Sequence, residues 1–331
     1  MKRSPSFALL LVTGLLSLIA YLVAGPLALN PVGISPLSAQ VGLLFFFTIA
    51  LALLLLVDSI RQAPDFIAGE SGQLDLKALW RALDRPRLES FALILVAAYG
   101  IASSANLAEV YRVSAREWHD PLLWRVEGGL ISALLDSWFN RPRAWDTVYQ
   151  VLWFGLAFGL GALARAGHLR QMAEALCAVV IAFHLTRYIA IAFPSAGPVF
   201  HRPELFDLTG TASGPMVQLL RDYMAGNLPQ TSLLPGSQAF PSLHVGLAWC
   251  AVVVMRREWR WSLWLTLPWF ALNWLATVFL GWHYLVDGVG GVAVMVVSLW
   301  VSGTLMRALS TSAPPSYLAR TTNAGRRFDS T

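Results

Sequence analysis

Residues 284–306 read YLVDGVGGVAVMVVSLWVSGTLM, an apolar run in which Asp287 is the single charged residue. A helix needs about 20 apolar residues to cross the hydrocarbon core of a bilayer, so this run predicts a transmembrane helix. The composition agrees, because 56% of the 331 residues are hydrophobic and only 13% are charged. Ordinary soluble domains carry about 25% charged residues, and the composition therefore argues against a soluble enzyme.

Eight runs of this kind are predicted along the chain, which indicates an all-α, polytopic membrane helical bundle. They lie at about 7–29, 41–58, 88–107, 145–164, 172–193, 243–255, 261–280 and 284–306. With the N-terminus in the cytoplasm, sixteen of the 24 Lys and Arg residues fall on the cytoplasmic side. Since positively charged loops are enriched there, both termini are expected in the cytoplasm. In a bacterium, the membrane would be the plasma (inner) membrane.

The distribution of charge argues against nucleic acid as a partner, and the cysteine content argues against a disulfide framework. The net charge is +5, but the Lys and Arg residues are spread over short loops, which favours membrane orientation and anionic headgroups over nucleic acid. Cys177 and Cys250 both lie inside apolar runs and are expected to be core residues, with no disulfide framework. The expected partners are membrane lipids, and the oligomeric state stays open.

The connections between the runs predict several surface elements. Residues 59–87 are predicted to form an amphipathic cytoplasmic stretch, and residues 108–143 a helix lying on the outer face. Residues 194–240 are predicted to be an outer loop long enough to cover a site. Three acidic residues are expected to be solvated or paired with nearby arginines: Glu127, Asp136 and Asp146.

Two histidines stand at the ends of apolar runs, in FPSLH at 240–244 and HYLVD at 283–287. A titratable side chain costs free energy in such a place, which favours a functional role over simple hydrogen bonding between helices. On one helix, His283 and Asp287 would share a face, and the carboxylate would hold one imidazole nitrogen. The other nitrogen could attack a substrate, with His244 as the acid and base. The pattern predicts phosphoryl transfer at the outer face of the membrane.

The start of the helix that carries His244 is a second candidate feature. Pro241 is suited to a first helical position, and the amides after it are expected to form a phosphate cradle at the positive end of the helix dipole. Ser242 is a candidate phosphate ligand, although it could equally be a helix-start residue. The glycines at 288, 290 and 291 are expected to allow close helix approach next to the site.

The two motifs resemble the second and third signatures of the type 2 phosphatidic acid phosphatase (PAP2) superfamily. The superfamily phosphatases usually have PSGH, whereas Leu243 replaces that glycine here. They also carry a Ser-Arg pair shortly before the second histidine, and this chain has Ala276 and Thr277. The HYxxD form is most similar to the inositol-phosphorylceramide synthase-like branch. Residues 187–198 resemble the first motif of that branch, and the resemblance covers roughly 88–306.

The resemblance implies a role for each motif residue. His283 would attack phosphorus and become a phosphohistidine, Asp287 would orient it, and His244 would protonate the leaving alcohol and deprotonate the acceptor. No metal and no cofactor are implied. Arg187 is the first candidate for binding the phosphate oxygens, with Arg202 and Arg221 as alternatives.

The expected function is transfer of a phospho-headgroup between membrane lipids at the outer leaflet, with inositol-phosphorylceramide-synthase-like chemistry. One alternative is a lipid phosphate or polyprenyl-diphosphate phosphatase, and a non-enzymatic lipid carrier is an alternative of another class. The expected organisation has three parts. Residues 1–87 hold two additional membrane helices and the cytoplasmic segment, 88–306 form a six-helix catalytic core, and 307–331 form a disordered cytoplasmic tail.

Overall fold

A computed structural model describes residues 5–24, 85–104, 107, 110, 118–225 and 238–311. The predicted span 41–58, most of the predicted cytoplasmic segment 59–87 and the tail beyond 311 lie outside these residues. The described residues form helices and their connections, with no strand among them. The predicted all-α class is confirmed for this part of the chain.

The described helices are numbered here in chain order. They are α1 (Pro5–Ala24), α2 (Arg85–Ser103), α3 (Asp120–Leu135), α4 (Pro142–Gln150), α5 (Leu152–Arg165), α6 (Leu169–Ala192), α7 (Pro198–His201), α8 (Ser213–Met224), α9 (Leu243–Glu258), α10 (Leu263–Phe279) and α11 (Leu285–Thr311). Two short 3-10 helices, Pro203–Leu205 and Arg260–Ser262, follow α7 and precede α10.

Four of the described helical segments are long and apolar enough to cross a membrane. They are Ser6–Ala24, Leu169–Ala192, Arg260–Phe279 and Leu285–Leu309. The protein is therefore a membrane protein, as its composition predicts. Helices α5 and α9, with 14 and 16 residues, are shorter than the roughly 20 residues that a straight span needs. The count of eight spans and the six-helix core stay predictions.

Three boundaries differ from the sequence-based predictions. The predicted span 145–164 is divided at Val151 into α4 and α5, and α4 carries Asp146, whose buried carboxylate accepts hydrogen bonds from Ala212 and Ser213 at the start of α8. The predicted outer loop 194–240 contains α7 and α8 in its described part. In the part of the predicted interfacial helix 108–143 that the structure describes from residue 118 onward, the helical residues belong to α3 and to the first residues of α4.

Helix α6 lies at the centre of the bundle and packs against α1, α2, α9 and α11. Many of its buried side chains are small, including Ala173, Ala175, Ala178 and Ala182. Small residues let helix backbones approach closely, which is how helices associate where water provides no driving force. Cys177 belongs to the same core, and both cysteines are buried and free, as predicted.

Helices α9 and α11 approach each other at two glycines, Gly246 and Gly291. A Cβ atom built on Gly291 would lie 2.0 Å from the carbonyl oxygen of Ser242, and one on Gly246 would lie 2.8 Å from the carbonyl oxygen of Gly291. Both neighbours are backbone atoms, so a side chain could not displace them without moving a helix. The predicted close approach next to the site is confirmed, and it sets the distance between the two histidine motifs.

We expect Gly291→Ala to destabilise the protein and to reduce its activity, because α11 would have to move away from α9. Gly129→Ala is the matched control, since Gly129 lies in α3 and a Cβ atom added there would have nothing within 4 Å. Alanine is favoured over glycine inside a helix by about 0.5–1 kcal/mol, so this control should be neutral or slightly stabilising. Thermal unfolding in detergent measures both effects, and equal melting temperatures for the two variants would contradict the role of Gly291 in packing.

Candidate active site

The segment 239–242 leads into α9 and places its first turn. Ser242 is the N-cap: its hydroxyl accepts a hydrogen bond from the Val245 amide (3.3 Å), and its own amide donates to the Asp287 carbonyl (2.8 Å). The helix begins at Leu243, two residues after the predicted start at Pro241. Because Ser242 is buried and caps the helix, the structure supports the helix-start interpretation of this residue. One amide of the predicted phosphate cradle, that of Val245, is thereby already bonded.

The two motif histidines meet between α9 and the turn before α11. His244 Nδ1 lies 3.4 Å from His283 Nε2, although 39 residues separate them in the sequence. The turn that holds His283 depends on Gly281, whose φ of +72° is in the left-handed region that favours glycine. The structure therefore brings together the two histidines that the sequence predicted to act together.

The second nitrogen of His283 is held differently from the prediction. His283 Nδ1 is 2.8 Å from the Ala239 carbonyl oxygen and 3.6 Å from Asp287 Oδ2. The prediction that both side chains share one helix face is wrong, because α11 begins at Leu285 and His283 lies in the turn before it. A carbonyl oxygen only accepts, so Nδ1 must carry the proton. The lone pair of Nε2 then faces His244.

Burial keeps His283 in the neutral form that this arrangement requires. Loss of solvation lowers the pKa of His283 to about 4, and the hydrogen bond to the Ala239 carbonyl opposes this only in part. At neutral pH the imidazole is uncharged and its Nε2 lone pair is available. A neutral nitrogen is the state in which histidine acts as a nucleophile.

Asp287 is fully buried in the first turn of α11. Its Oδ2 accepts the Tyr284 amide at 2.7 Å, which is the hydrogen bond that an acidic residue makes back to the N-cap of its own helix. Its Oδ1 has no hydrogen-bond partner among the described residues. Asp287 therefore caps the helix while its carboxyl group remains close to the His283 ring.

Three further carboxylates hold together the helix ends on the side of the histidine pair. Glu127 of α3 accepts the amides of Leu285 and Val286 at 2.6 and 2.9 Å, which satisfies the first turn of α11. Asp146 of α4 accepts the amide and the hydroxyl of Ser213. The prediction that these two acidic residues are solvated or paired with arginines is wrong.

The third of these carboxylates, Asp120, had no sequence signal. It is buried, and it accepts the amides of Ala196 and Gly197, each at 2.8 Å, and the Tyr284 hydroxyl at 3.2 Å. The segment that contains Ala196 and Gly197 also contacts the turn that carries His283, because the Val199 amide donates to the Gly281 carbonyl (2.9 Å). Asp120 therefore connects α3 to the turn that carries His283.

The three arginines proposed for phosphate binding have different surroundings. The Arg187 guanidinium donates from Nη1 to the Gln238 side chain, next to Ala239, and its charge lies within electrostatic range of His244. Arg202 is half-exposed, pairs with Glu204 at 2.6 Å and lies 5.5 Å from the Trp124 ring. Arg221 donates to the Val199 carbonyl and lines a cavity of about 430 Å³ beside α8. Of the three, Arg187 has contacts that place it at the histidine pair.

One further residue at the site was missed by the sequence-based analysis. The Tyr149 hydroxyl lies 2.7 Å from His244 Nε2. Tyr149 is 95 residues from His244 in the chain and belongs to no motif, so only the packing of α4 reveals this contact.

A family model described as the PAP2 superfamily matches residues 131–301, which is more than half of the chain and includes both histidines. The chain belongs to the PAP2 superfamily. This PAP2 protein is accordingly an enzyme with phosphatase or phosphotransferase activity. No curated protein and no solved structure matches the chain.

We expect Asp120→Ala to lower both the stability and the activity of this PAP2 protein. The substitution leaves two buried amides without their acceptor, and each such group costs about 1–3 kcal/mol. Asp136→Ala is the matched control, because Asp136 lies at the other end of the same helix, outside the contacts that Asp120 makes. Thermal unfolding and turnover measured side by side test the role of Asp120, and a wild-type melting temperature for Asp120→Ala would contradict it.

Proposed function

We propose that this PAP2 protein is a membrane lipid phosphotransferase that moves a phospho-headgroup through a phosphohistidine at His283. The observation that carries the proposal is the pairing of the two histidine rings. His283 Nε2 has its lone pair directed at His244 Nδ1, 3.4 Å away, and its other nitrogen is fixed by the Ala239 carbonyl. A nucleophile held next to an acid–base group is the arrangement that covalent catalysis requires.

The first half of the reaction loads the enzyme. His283 Nε2 forms a bond to phosphorus while the bond from phosphorus to the leaving alcohol oxygen breaks. His244 acts in its doubly protonated form and gives the Nδ1 proton to that oxygen, so the alcohol leaves in the neutral form and His244 becomes a neutral imidazole. We assign to Asp287, 3.6 Å from the ring, the stabilisation of the positive charge that develops on His283.

The second half returns the enzyme to its starting state. The hydroxyl oxygen of an acceptor bonds to phosphorus, the phosphorus–nitrogen bond to His283 breaks, and the acceptor proton goes to His244 Nδ1. Water as the acceptor gives a phosphatase, whereas a lipid or polyol hydroxyl gives a transferase. The identity of the acceptor therefore decides between the two enzymatic alternatives.

Arg187 is the proposed ligand for the non-bridging phosphate oxygens. These oxygens carry the negative charge of the transition state, and a planar guanidinium suits them better than an ammonium group. Arg187 is already held by Gln238 next to the histidine pair, so its charge is in place before substrate binds. Groups fixed in advance stabilise a transition state without the cost of reorganisation.

Residues 276 and 277 favour a transferase over a phosphatase. Ala276 and Thr277 are buried, and the Thr277 hydroxyl donates to the Trp274 carbonyl within its own helix. This chain therefore offers no cationic side chain at the place where the superfamily phosphatases carry their Ser-Arg pair. A lipid carrier on the same scaffold would have no use for a buried neutral nucleophile beside an acid–base group.

The proposed location of the reaction is the outer leaflet of the plasma (inner) membrane, with both termini in the cytoplasm. The Lys and Arg distribution along the chain supports this orientation. The histidine pair then lies at the outer ends of α9 and α10, and Arg256 and Arg257 lie at the cytoplasmic end of α9.

The test is an assay of purified protein with phospholipids that carry different phosphorylated headgroups, with and without ceramide, diacylglycerol or inositol as acceptors. We expect a new phospholipid that appears only when an acceptor is present. Free phosphate as the sole product would favour the phosphatase alternative. Lipid exchange between vesicles without any chemical product would favour the carrier.

We expect His283→Asn and His244→Asn each to reduce turnover by at least about 1,000-fold, because each removes a group that takes part in bond making or proton transfer. Arg187→Ala should be less severe, at roughly 2–4 kcal/mol of lost transition-state stabilisation. His168→Asn is the matched control, since His168 is exposed at the start of α6 and pairs with Glu258. A folded His283→Asn variant with substantial turnover would rule out His283 as the nucleophile.

A further inference from the structure

The His244 ring is bonded on both of its nitrogens, and the partner on the far side is a tyrosine. Nδ1 faces His283, while Nε2 is 2.7 Å from the Tyr149 hydroxyl. The two rings have centroids 5.0 Å apart and are tilted, so the contact runs edge to edge through the polar atoms. Tyr149 comes from α4, an element that carries none of the three motifs.

The structure holds Tyr149 rigidly at this position. Its ring stacks on Trp282, the residue before His283, with an interplanar angle of 14°. One turn earlier in α4, Trp145 stacks on Phe279 at 4.5 Å, and Asp146 accepts the Ala212 amide at 2.6 Å. Helix α4 is thereby fixed on two sides, against α10 and against the start of α8.

The hydrogen bonds of the free enzyme determine which ring nitrogen of each histidine carries a proton. The Ala239 carbonyl accepts from His283 Nδ1, so His283 Nε2 is an acceptor and His244 Nδ1 must donate to it. In a neutral His244, the remaining nitrogen, Nε2, carries the lone pair. The Tyr149 hydroxyl therefore donates to His244 Nε2 in the free enzyme.

The proposed reaction needs the opposite arrangement at the same ring. To act as the acid, His244 first takes up a proton from solvent on Nε2 and becomes an imidazolium with a proton on each nitrogen. After Nδ1 has given its proton to the leaving oxygen, Nε2 still carries this one, and it returns to solvent at the end of the cycle. That Nε2 proton needs an acceptor until Nδ1 takes the proton of the incoming hydroxyl. A hydroxyl meets both demands because it rotates between donating and accepting, whereas a carboxylate or a carbonyl only accepts.

We propose that Tyr149 is the positioning residue for His244: its hydroxyl donates to Nε2 in the free enzyme and accepts from Nε2 during both proton transfers. This role rests on the proposed function, since it requires His244 to act as the acid and base. Tyr149 touches neither the phosphorus nor the acceptor and acts only through the imidazole. A positioning role of this kind affects the catalytic steps more than substrate binding.

The test is Tyr149→Phe, which removes one oxygen and keeps the stacking on Trp282. We expect kcat to fall roughly 10- to 100-fold, the range that corresponds to loss of one hydrogen bond to a charged group, with KM within about twofold of wild type. Among the described residues, the titratable or charged groups facing His244 include Tyr149, His283 and Arg187. The substitution removes a hydrogen bond from both forms of the ring, but the bond from the imidazolium is charge-assisted and stronger than the bond to the neutral ring. The imidazolium is therefore destabilised more, and the high-pH limb of the kcat profile should move to lower pH.

Two comparisons separate this role from a structural one. Tyr99→Phe is the matched control, because Tyr99 is exposed on α2, and it should leave kcat and the pH profile unchanged. Incorporation of a fluorinated tyrosine at 149 keeps the hydroxyl but makes it a weaker acceptor, so the same limb should shift in the same direction. This second variant also decides the question if Tyr149→Phe fails to fold.

The possible outcomes distinguish the role of Tyr149 from the proposed function. Wild-type kcat and pH profile in both position-149 variants would overturn the role of Tyr149 and leave the proposed function intact. A lower kcat with an unshifted pH profile in both would show a structural contribution only, and would also overturn it. Absence of turnover in the wild-type protein with every donor and acceptor would contradict the proposed function, and the role of Tyr149 with it.

Discussion

The contact between α9 and α11 at Gly246 and Gly291 determines where both histidine motifs lie. With hydrogen atoms as side chains, the two backbones come close enough for the Ser242 amide to reach the Asp287 carbonyl. His244 follows Ser242 on one helix, and His283 precedes the other helix by two residues. The 3.4 Å separation of the two rings is therefore a consequence of helix packing.

A layer of carboxylates on the same side of the bundle as the histidine pair stabilises this geometry. Three carboxylates each accept two backbone amides: those of Asp120, Glu127 and Asp146. Each one connects its own helix to a segment that lies at the histidine pair or beside it. An amide buried without an acceptor costs about as much free energy as a lost hydrogen bond, so these contacts specify one arrangement of short helices. In this protein these acidic residues serve architecture, and the proposed nucleophile and the proposed acid–base group are both histidines.

The sequence was informative where one local pattern was sufficient. The apolar runs predicted membrane helices, and the two motifs predicted that His244 and His283 would meet. It was less informative where a contact depends on tertiary packing. The Ala239 carbonyl takes the hydrogen bond assigned to Asp287, because the helix starts two residues after His283 and the carboxylate turns back to the Tyr284 amide. Tyr149 carried no signal, since its partner lies 95 residues away on an element with no motif in common.

The central claim is that His283 carries the phosphoryl group during turnover. The most direct measurement is to mix purified protein with a phospholipid donor in the absence of acceptor, quench at neutral pH and locate the adduct by peptide mass spectrometry. We predict a phosphorus-containing adduct on His283 that is absent in His283→Asn and disappears when an acceptor is added. Turnover without any adduct on His283, or an adduct on another side chain, would contradict it.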